Sequence, residues 1–499
     1  MRTLSLLLIL TVVAAPEERP KPSPEIQVLL DTAPAAPPEL AADILLRLLE
    51  YGRVPSKAQR LEIIERAFEM AGQAKFPYLQ SAAVERARHT DSGPGIRYVA
   101  LVQGLSTLGL RCRVVRAALV IDRARALALF QQINIGPFPP LSCDDALAPA
   151  LTEYYELLRE VASNAYSPED RKKERHIELI ETAVRGATIP RQLEPVAKFL
   201  AGFPLPADRK AELIGMYATA LKRMSVDPRS FGAGAFDFGQ AILGLSKNLQ
   251  AEGISTIPLA DAFRTYLARH LQGVLCAETA NPKQDGVRIR RLVETVFDDG
   301  LLAATAATEI PPLKFDEMKP ASVSGPAKFS DFWQTGRSRE IMAQYKVLRF
   351  GTKEQQEEYN QRGRREDGMM RFLPEELRRT PEWEAQARQF LDELDHWSKN
   401  HDEPEVDFFH QMCFQYAALL DIIPAGPLHE NVFRTYLSFL KTSAMERESP
   451  PEWLIHVKRL FTVTDATPEH QERLRAEVRA NGSLTMSLYA ELARLGAKR

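Results

Sequence analysis

Histidine is the first residue type whose placement in this chain invites a chemical reading. Six of the nine histidines fall in the last 104 residues: His396, His401, His410, His429, His456 and His470. The segment HWSKNHDEPEVDFFH sets His396, His401 and His410 among Asp402, Glu403, Glu405 and Asp407. Neutral imidazole and carboxylate together suit zinc or a related divalent ion, which makes these three histidines the candidate metal ligands. The spacing argues for a blander role. His396 and His401 are five residues apart, so a regular helix points them along diverging directions. The run Asp402–Glu405 around Pro404 reads as a solvated turn between helices.

The other chemical signals are weaker. Ser438-Phe-Leu-Lys441 fits S-x-x-K, but the Ser-Asp-Asn and Lys-Thr-Gly partners of that class are missing. Asp144-Asp145, Asp298-Asp299 and Glu375-Glu376 are adjacent carboxylates, which a helix would point about 100° apart. The sequence contains no phosphate-binding glycine loop, no H-E-x-x-H, no C-x-x-C and no G-x-S-x-G. No cofactor is therefore expected. Of the four cysteines, Cys112 and Cys143 are the least distant within one segment and are the first disulfide candidate. Free buried thiols are the alternative. Residues 337–379 carry 11 Lys and Arg against 8 Asp and Glu, with a small basic cluster at Arg362, Arg364 and Arg365. A solvated helix face is the default there, and contact with an anionic partner is the functional reading.

These residues need elements to position them, and the elements read as helices. In KAQRLEIIERAFEMAG (57–72), Leu61, Ile64, Phe68 and Ala71 share one face. Ser167-Pro168-Glu169, Thr380-Pro381-Glu382, Ser449-Pro450-Pro451-Glu452 and Thr467-Pro468-Glu469 each place a capping hydroxyl, a first-turn proline and a carboxylate at a helix start. This accounts for many of the 34 prolines without breaking helices. Alternating strand patterns are scarce.

Part of the chain is repeated. Phe-Arg-Thr-Tyr-Leu occurs at 263–267 and at 433–437, preceded at equal distance by Asp237-Phe238 and Asp407-Phe408. A fainter copy places Asp122, Tyr154 and Ser167-Pro168 in the same order. Three related units are expected, near 96–186, 206–302 and 376–465. The repeated Phe, Tyr and Leu sit at i, i+3 and i+4 and are expected to pack in the core rather than touch a ligand. Asp237 and Asp407 are candidate helix caps, whereas Asp122 reads as mid-helix.

The fold class that follows is all-α, a helical-repeat (α-solenoid or superhelical) array of antiparallel hairpins, with an α/α toroid as the alternative. Residues 1–14, with Arg2 ahead of an apolar stretch and a small-residue cut site, read as a signal peptide. Residues 15–38 read as a proline-rich extended linker, and 39–302 as the first helical-repeat region. A Pro/Ala-rich loop is expected at 303–330, a charged helical insert at 331–375, and the third unit with terminal helices at 376–499. Formal net charge is −2, which excludes a globally basic nucleic-acid binder. No later run approaches a membrane span. The expected protein is exported, periplasmic or extracellular, and binds a protein or peptide as a non-enzymatic scaffold. An α/α enzyme acting on polysaccharide or cell-wall glycan is the alternative.

Overall fold

The computed structural model describes residues 22–75, 80–81, 99–100, 102–136, 138–145, 147–277, 282–298, 318–320, 336–355, 357, 372–401, 405–461 and 468–496. Nearly all the regular structure in them is helical. The first half contains α1 (Pro24–Thr32), α2 (Pro38–Glu50), α3 (Lys57–Gly72), α4 (Thr107–Ile121), α5 (Arg123–Phe130), α6 (Thr152–Asn164), α7 (Pro168–Lys172), α8 (Arg175–Arg185), α9 (Leu193–Gly202), α10 (Ala207–Arg223), α11 (Pro228–Ala251), α12 (Ile257–Leu271) and α13 (Pro282–Asp298). The second half contains α14 (Gly336–Phe350), α15 (Glu375–Arg378), α16 (Pro381–Lys399), α17 (Glu405–Ile422), α18 (Pro427–Thr442), α19 (Met445–Glu448), α20 (Pro450–Leu460), α21 (Pro468–Asn481) and α22 (Leu484–Gly496). Strands are limited, among the described residues, to two short pairs. β1 (Gln80–Ser81) runs antiparallel to β2 (Leu147–Ala148), and β3 (Cys276–Ala277) runs parallel to β4 (Lys319–Pro320).

Residues 24–35 correct the extended-linker expectation. Ser23 accepts a hydrogen bond from the Ile26 backbone and starts α1, which buries Ile26, Leu29 and Leu30. Ala33–Ala35 continue as a 3-10 turn, and Pro38 opens α2. The prolines lie at starts and joints, where the missing donor costs nothing, so an apolar IQVLL face can still fold onto the core. Residues 1–14 lie outside the described residues. The capping signals hold where they can be seen. Ser167 accepts from Asp170 N and Thr380 from Trp383 N. Ser449 precedes α20 without a side-chain cap bond, and Thr467 lies outside the described residues.

Helices in the first half pack in two files. One runs α4, α6, α8, α10, α12, and the other runs α6, α9, α11, α13. Close approach in the second file depends on Gly239 of α11, where a Cβ would overlap the Leu292 side chain of α13. In the second half, α14 lies against α16 and α17, and α18 touches α16, α17, α20 and α21. The chain then returns to its start, because α2 packs against both α20 and α22.

The three repeated tyrosines lie on α6, α12 and α18, and all are buried. Their neighbours differ. Tyr154 stacks on Phe130 of α5 at 5.3 Å between ring centres. Tyr266 meets Phe238 of α11 edge-on at 5.5 Å, and Tyr436 stacks on Tyr416 of α17 at 5.4 Å. α12 packs chiefly on α10, whereas α18 packs chiefly on α17. The cap assignments also reverse. Asp122 is the N-cap of α5, accepting from Arg125 N at 3.0 Å, while Asp237 lies exposed inside α11.

The disulfide links Cys143 and Cys276, with Cα atoms 5.4 Å apart, and corrects the Cys112–Cys143 expectation. Cys112 sits on the core face of α4, where burial and nearby Glu153 push its thiol up to about 12, and Cys413 is also buried and free. Cys143 lies instead in a turn beside the end of α12. There the disulfide adjoins β3, to which β4 is paired. The Lys319 ammonium stands 2.8 Å from the Asp144 carboxylate, and Lys319 N donates to Leu275 O. Three segments distant in sequence are thus stapled together.

Two measurements test this packing. Peptide mapping under non-reducing conditions should recover a Cys143–Cys276 peptide. Cys276→Ser should lower stability by a few kcal/mol, since the bond closes a loop across 133 positions; a melt unchanged by that substitution would count against the staple. Tyr266→Phe removes a buried hydroxyl that finds no hydrogen-bond partner. Urea unfolding should show stability unchanged or raised by up to about 1 kcal/mol, and a loss larger than that would contradict the assignment.

Candidate functional site

The three expected metal ligands do not converge. His396 is exposed near the end of α16. His401 follows that helix and lies flat on the Phe408 ring, with centres 3.5 Å apart. Only His410 is fully buried. Among the described residues, no group of three or more His, Cys, Asp or Glu is placed to hold a metal ion. The helix α16 ends at Asn400, so His396 lies on α16, His401 follows its cap, and His410 lies on α17. Arg362, Arg364 and Arg365 lie outside the described residues.

His410 belongs instead to a relay that the segment 396–410 does not reveal. Its Nε2 meets Glu452 Oε2 at 2.5 Å, and its Nδ1 lies 3.0 Å from His456 Nε2. Glu452 and His456 are four residues apart on α20, so both face α17. Glu452 is nearest to solvent, with 18% of its side chain exposed. His456 is fully buried, and its Nδ1 finds no partner. Burial first, then the neighbouring His410 and Arg459, hold His456 well below the usual imidazole range, so it is neutral at pH 7. Every nitrogen of His410 is used by Glu452 and His456. Glu452, His410 and His456 thus form one hydrogen-bonded chain between α17 and α20.

A second polar cluster lies at the junction between the chain's ends. Asp43 is fully buried on α2. Its Oδ1 accepts from Arg113 of α4 at 2.6 Å, and its Oδ2 accepts from Arg47 and from the Tyr489 hydroxyl of α22, both at 2.8 Å. Burial alone would raise this carboxyl, but Arg47 and Arg113 overcome it and hold the group at about 2. Arg113 also reaches Glu50 at 2.9 Å. Lys458, on α20, approaches from the other side and donates to Gln103 Oε1 at 2.5 Å, while Gln103 Nε2 donates to Pro451 O. Burial, with Arg47 and Arg113 adding to it, pulls the Lys458 ammonium down to about 8. Arg53 donates to Leu495 O, and Arg494 pairs with Glu25 at 2.6 Å.

The sequence did hold a signal for this cluster. Asp43 interrupts the apolar run AADILLRLL, and Arg47 stands one turn later, the spacing of an intrahelical ion pair. Nothing local announces Arg113 or Tyr489, because they arrive through tertiary contact. The chain matches no protein-family model, and no curated protein matches it in sequence.

Asp43→Asn should cost on the order of 2–4 kcal/mol, because it leaves two half-buried guanidinium groups short of a counter-charge and a buried amide in place of the carboxylate. The pH dependence has a definite sign. The folded carboxyl titrates near 2 against 3.8 for the free group, so its contribution is complete above about pH 4 and fades as pH falls toward 2. Denaturant melts across that window should show a steeper acid loss for the wild-type chain than for Asp43→Asn, and parallel slopes would refute the pairing.

Proposed function

We propose that this protein is an exported helical-repeat scaffold that offers a stacked helix surface to a protein or peptide partner. The observation that carries the proposal is the packing of alternate helices in two files between α4 and α13. Such files give an extended layered surface built from local units, which is the architecture of superhelical binding arrays. Export is inferred from the signal-peptide pattern of residues 1–14 and is supported by the Cys143–Cys276 bond, which suits an oxidising compartment. No helix among the described residues is long and apolar enough to cross a membrane.

The alternative enzyme reading draws on one observation, the convergence of Asp43, Arg47, Arg113 and Tyr489. Saturation of that cluster weighs against it. Both Asp43 oxygens already accept hydrogen bonds, and the carboxyl is fully buried, so a substrate has no approach to it. The cluster behaves as a clasp between helices.

Affinity capture from the native envelope fraction should recover a discrete partner, and the complex should re-form from the two purified components. Recovery of no partner, together with turnover of a polysaccharide panel by the purified chain, would replace this reading with the enzymatic one.

A further inference from the structure

Four of the six histidines in the second half are buried in two pairs at neighbouring helix interfaces. His410 of α17 meets His456 of α20, and His429 of α18 meets His470 of α21, with His470 Nε2 3.4 Å from His429 Nδ1. α18 packs against α17, α20 and α21, so the two pairs belong to one connected block.

The geometry of each pair limits how many protons it can carry. A nitrogen-to-nitrogen hydrogen bond needs one donor and one acceptor. If both rings become imidazolium, both facing nitrogens carry protons and the contact turns repulsive. Burial adds to the penalty, since little water is present to solvate a second charge. The charged groups acting on the pairs are few. At the first they are Glu452 and Arg459 of α20; Cys413 of α17 and Tyr436 of α18 stay neutral through burial. At the second they are Glu430 of α18 and Arg473 of α21, which offset each other. Glu452 can balance one proton on His410 but none on the second ring.

We propose that the two imidazole pairs make residues 405–461 and 468–481 an acid-sensitive block that loosens at mildly acidic pH while the histidine-free helices α4–α6 stay closed. The inference rests on the paired rings and is independent of the scaffold reading. Burial and the neighbouring His470 hold His429 at about 4 in the folded chain, and burial holds His456 well below the usual imidazole range, whereas an exposed imidazole titrates near 6.5. Stability from the pairs is therefore complete above about pH 6.5 and is lost as pH falls toward 4. In the first half His270 of α12 is also buried and held at about 4, with its Nδ1 bonded to the Tyr266 carbonyl, so α12 shares part of this acid loss and the histidine-free α4–α6 are the reference.

The loosening has a route to the rest of the molecule. α20 carries His456 on one side and, two residues on, Lys458 toward Gln103. Loss of the first pair releases the helix whose Lys458 and Pro451 hold Gln103.

Backbone hydrogen exchange of the full chain, corrected for intrinsic rates, tests the proposal between pH 7 and 5. Residues 405–461 and 468–481 should exchange on the order of tenfold faster at the lower pH, while 107–130 and 152–164, which hold no histidine, change by less than about threefold. Equal acceleration in both regions, or none in either, overturns it. His429→Gln combined with His470→Gln should move the transition to lower pH, and the exposed His396→Gln should leave it in place. If the double variant fails to fold, histidine C2-proton exchange on the wild-type chain decides. Titration of His429 and His456 near 6.5 overturns the proposal, and titration well below 6.5 supports it.

Discussion

A buried carboxylate holds the two ends of this chain together. Asp43 receives Arg47 from its own helix, Arg113 from α4 and Tyr489 from α22, and those three donors satisfy both oxygens. Taking charges out of water is expensive, and such a group persists only when its partners are placed to replace the lost hydration. The clasp therefore imposes order on helices far apart in sequence. α2 meets α22, more than 430 positions later, through this contact. An apolar cluster of the same size would stabilise that meeting without specifying its register.

The constraint explains why order in space departs from order along the chain. The first half builds outward from α2 through alternate helices, each layer covering apolar surface left by the last. The second half begins its own packing with α14 against α16 and α17, then closes on α2 through α20 and α22. α2 thus lies between the two halves and shares contacts with both. The disulfide acts at a different place. It fastens the turn at Cys143 to the end of α12, with β4 laid alongside, so the segment around 318–320 is tied to the first half. One fastening is ionic and joins the chain's ends; the other is covalent and joins its middle.

Helical periodicity was legible because it depends on local spacing, and so were the starts at Ser167-Pro168 and Thr380-Pro381. Proline count misled at 24–35, where composition suggested an extended tether but Ser23 and the apolar face of α1 decided the outcome. The repeated tyrosines were legible as core residues, yet sequence could not say which helix each would pack against. Cysteine proximity failed for a related reason. Cys112 and Cys143 are near in sequence, but the first is turned into the core of α4 and only the second reaches Cys276. Of the candidate metal ligands, His410 alone was in a buried polar group, and its true partners lay more than 40 residues away on α20. Chemistry assembled by tertiary contact leaves little trace in a local window.

α20 is where the two polar clusters meet, and its sequence suits that position. Pro450 and Pro451 fill the first turn, where missing amide donors cost nothing, and the Pro451 carbonyl is left to accept from Gln103. Trp453 anchors the helix by donating to Leu440 O at 3.1 Å. Glu452 and His456, one turn apart, face α17; Lys458 follows His456 by two residues, about 200° around the axis, and faces the Asp43 side. A helix with polar groups on opposite sides cannot rotate to improve one set of contacts without harming the other. The imidazole relay and the lysine bridge are therefore mechanically joined through a rigid element, although no hydrogen bond runs between them. A change of charge in the relay must be felt at the seam between the halves, because the same eleven residues form a wall of both.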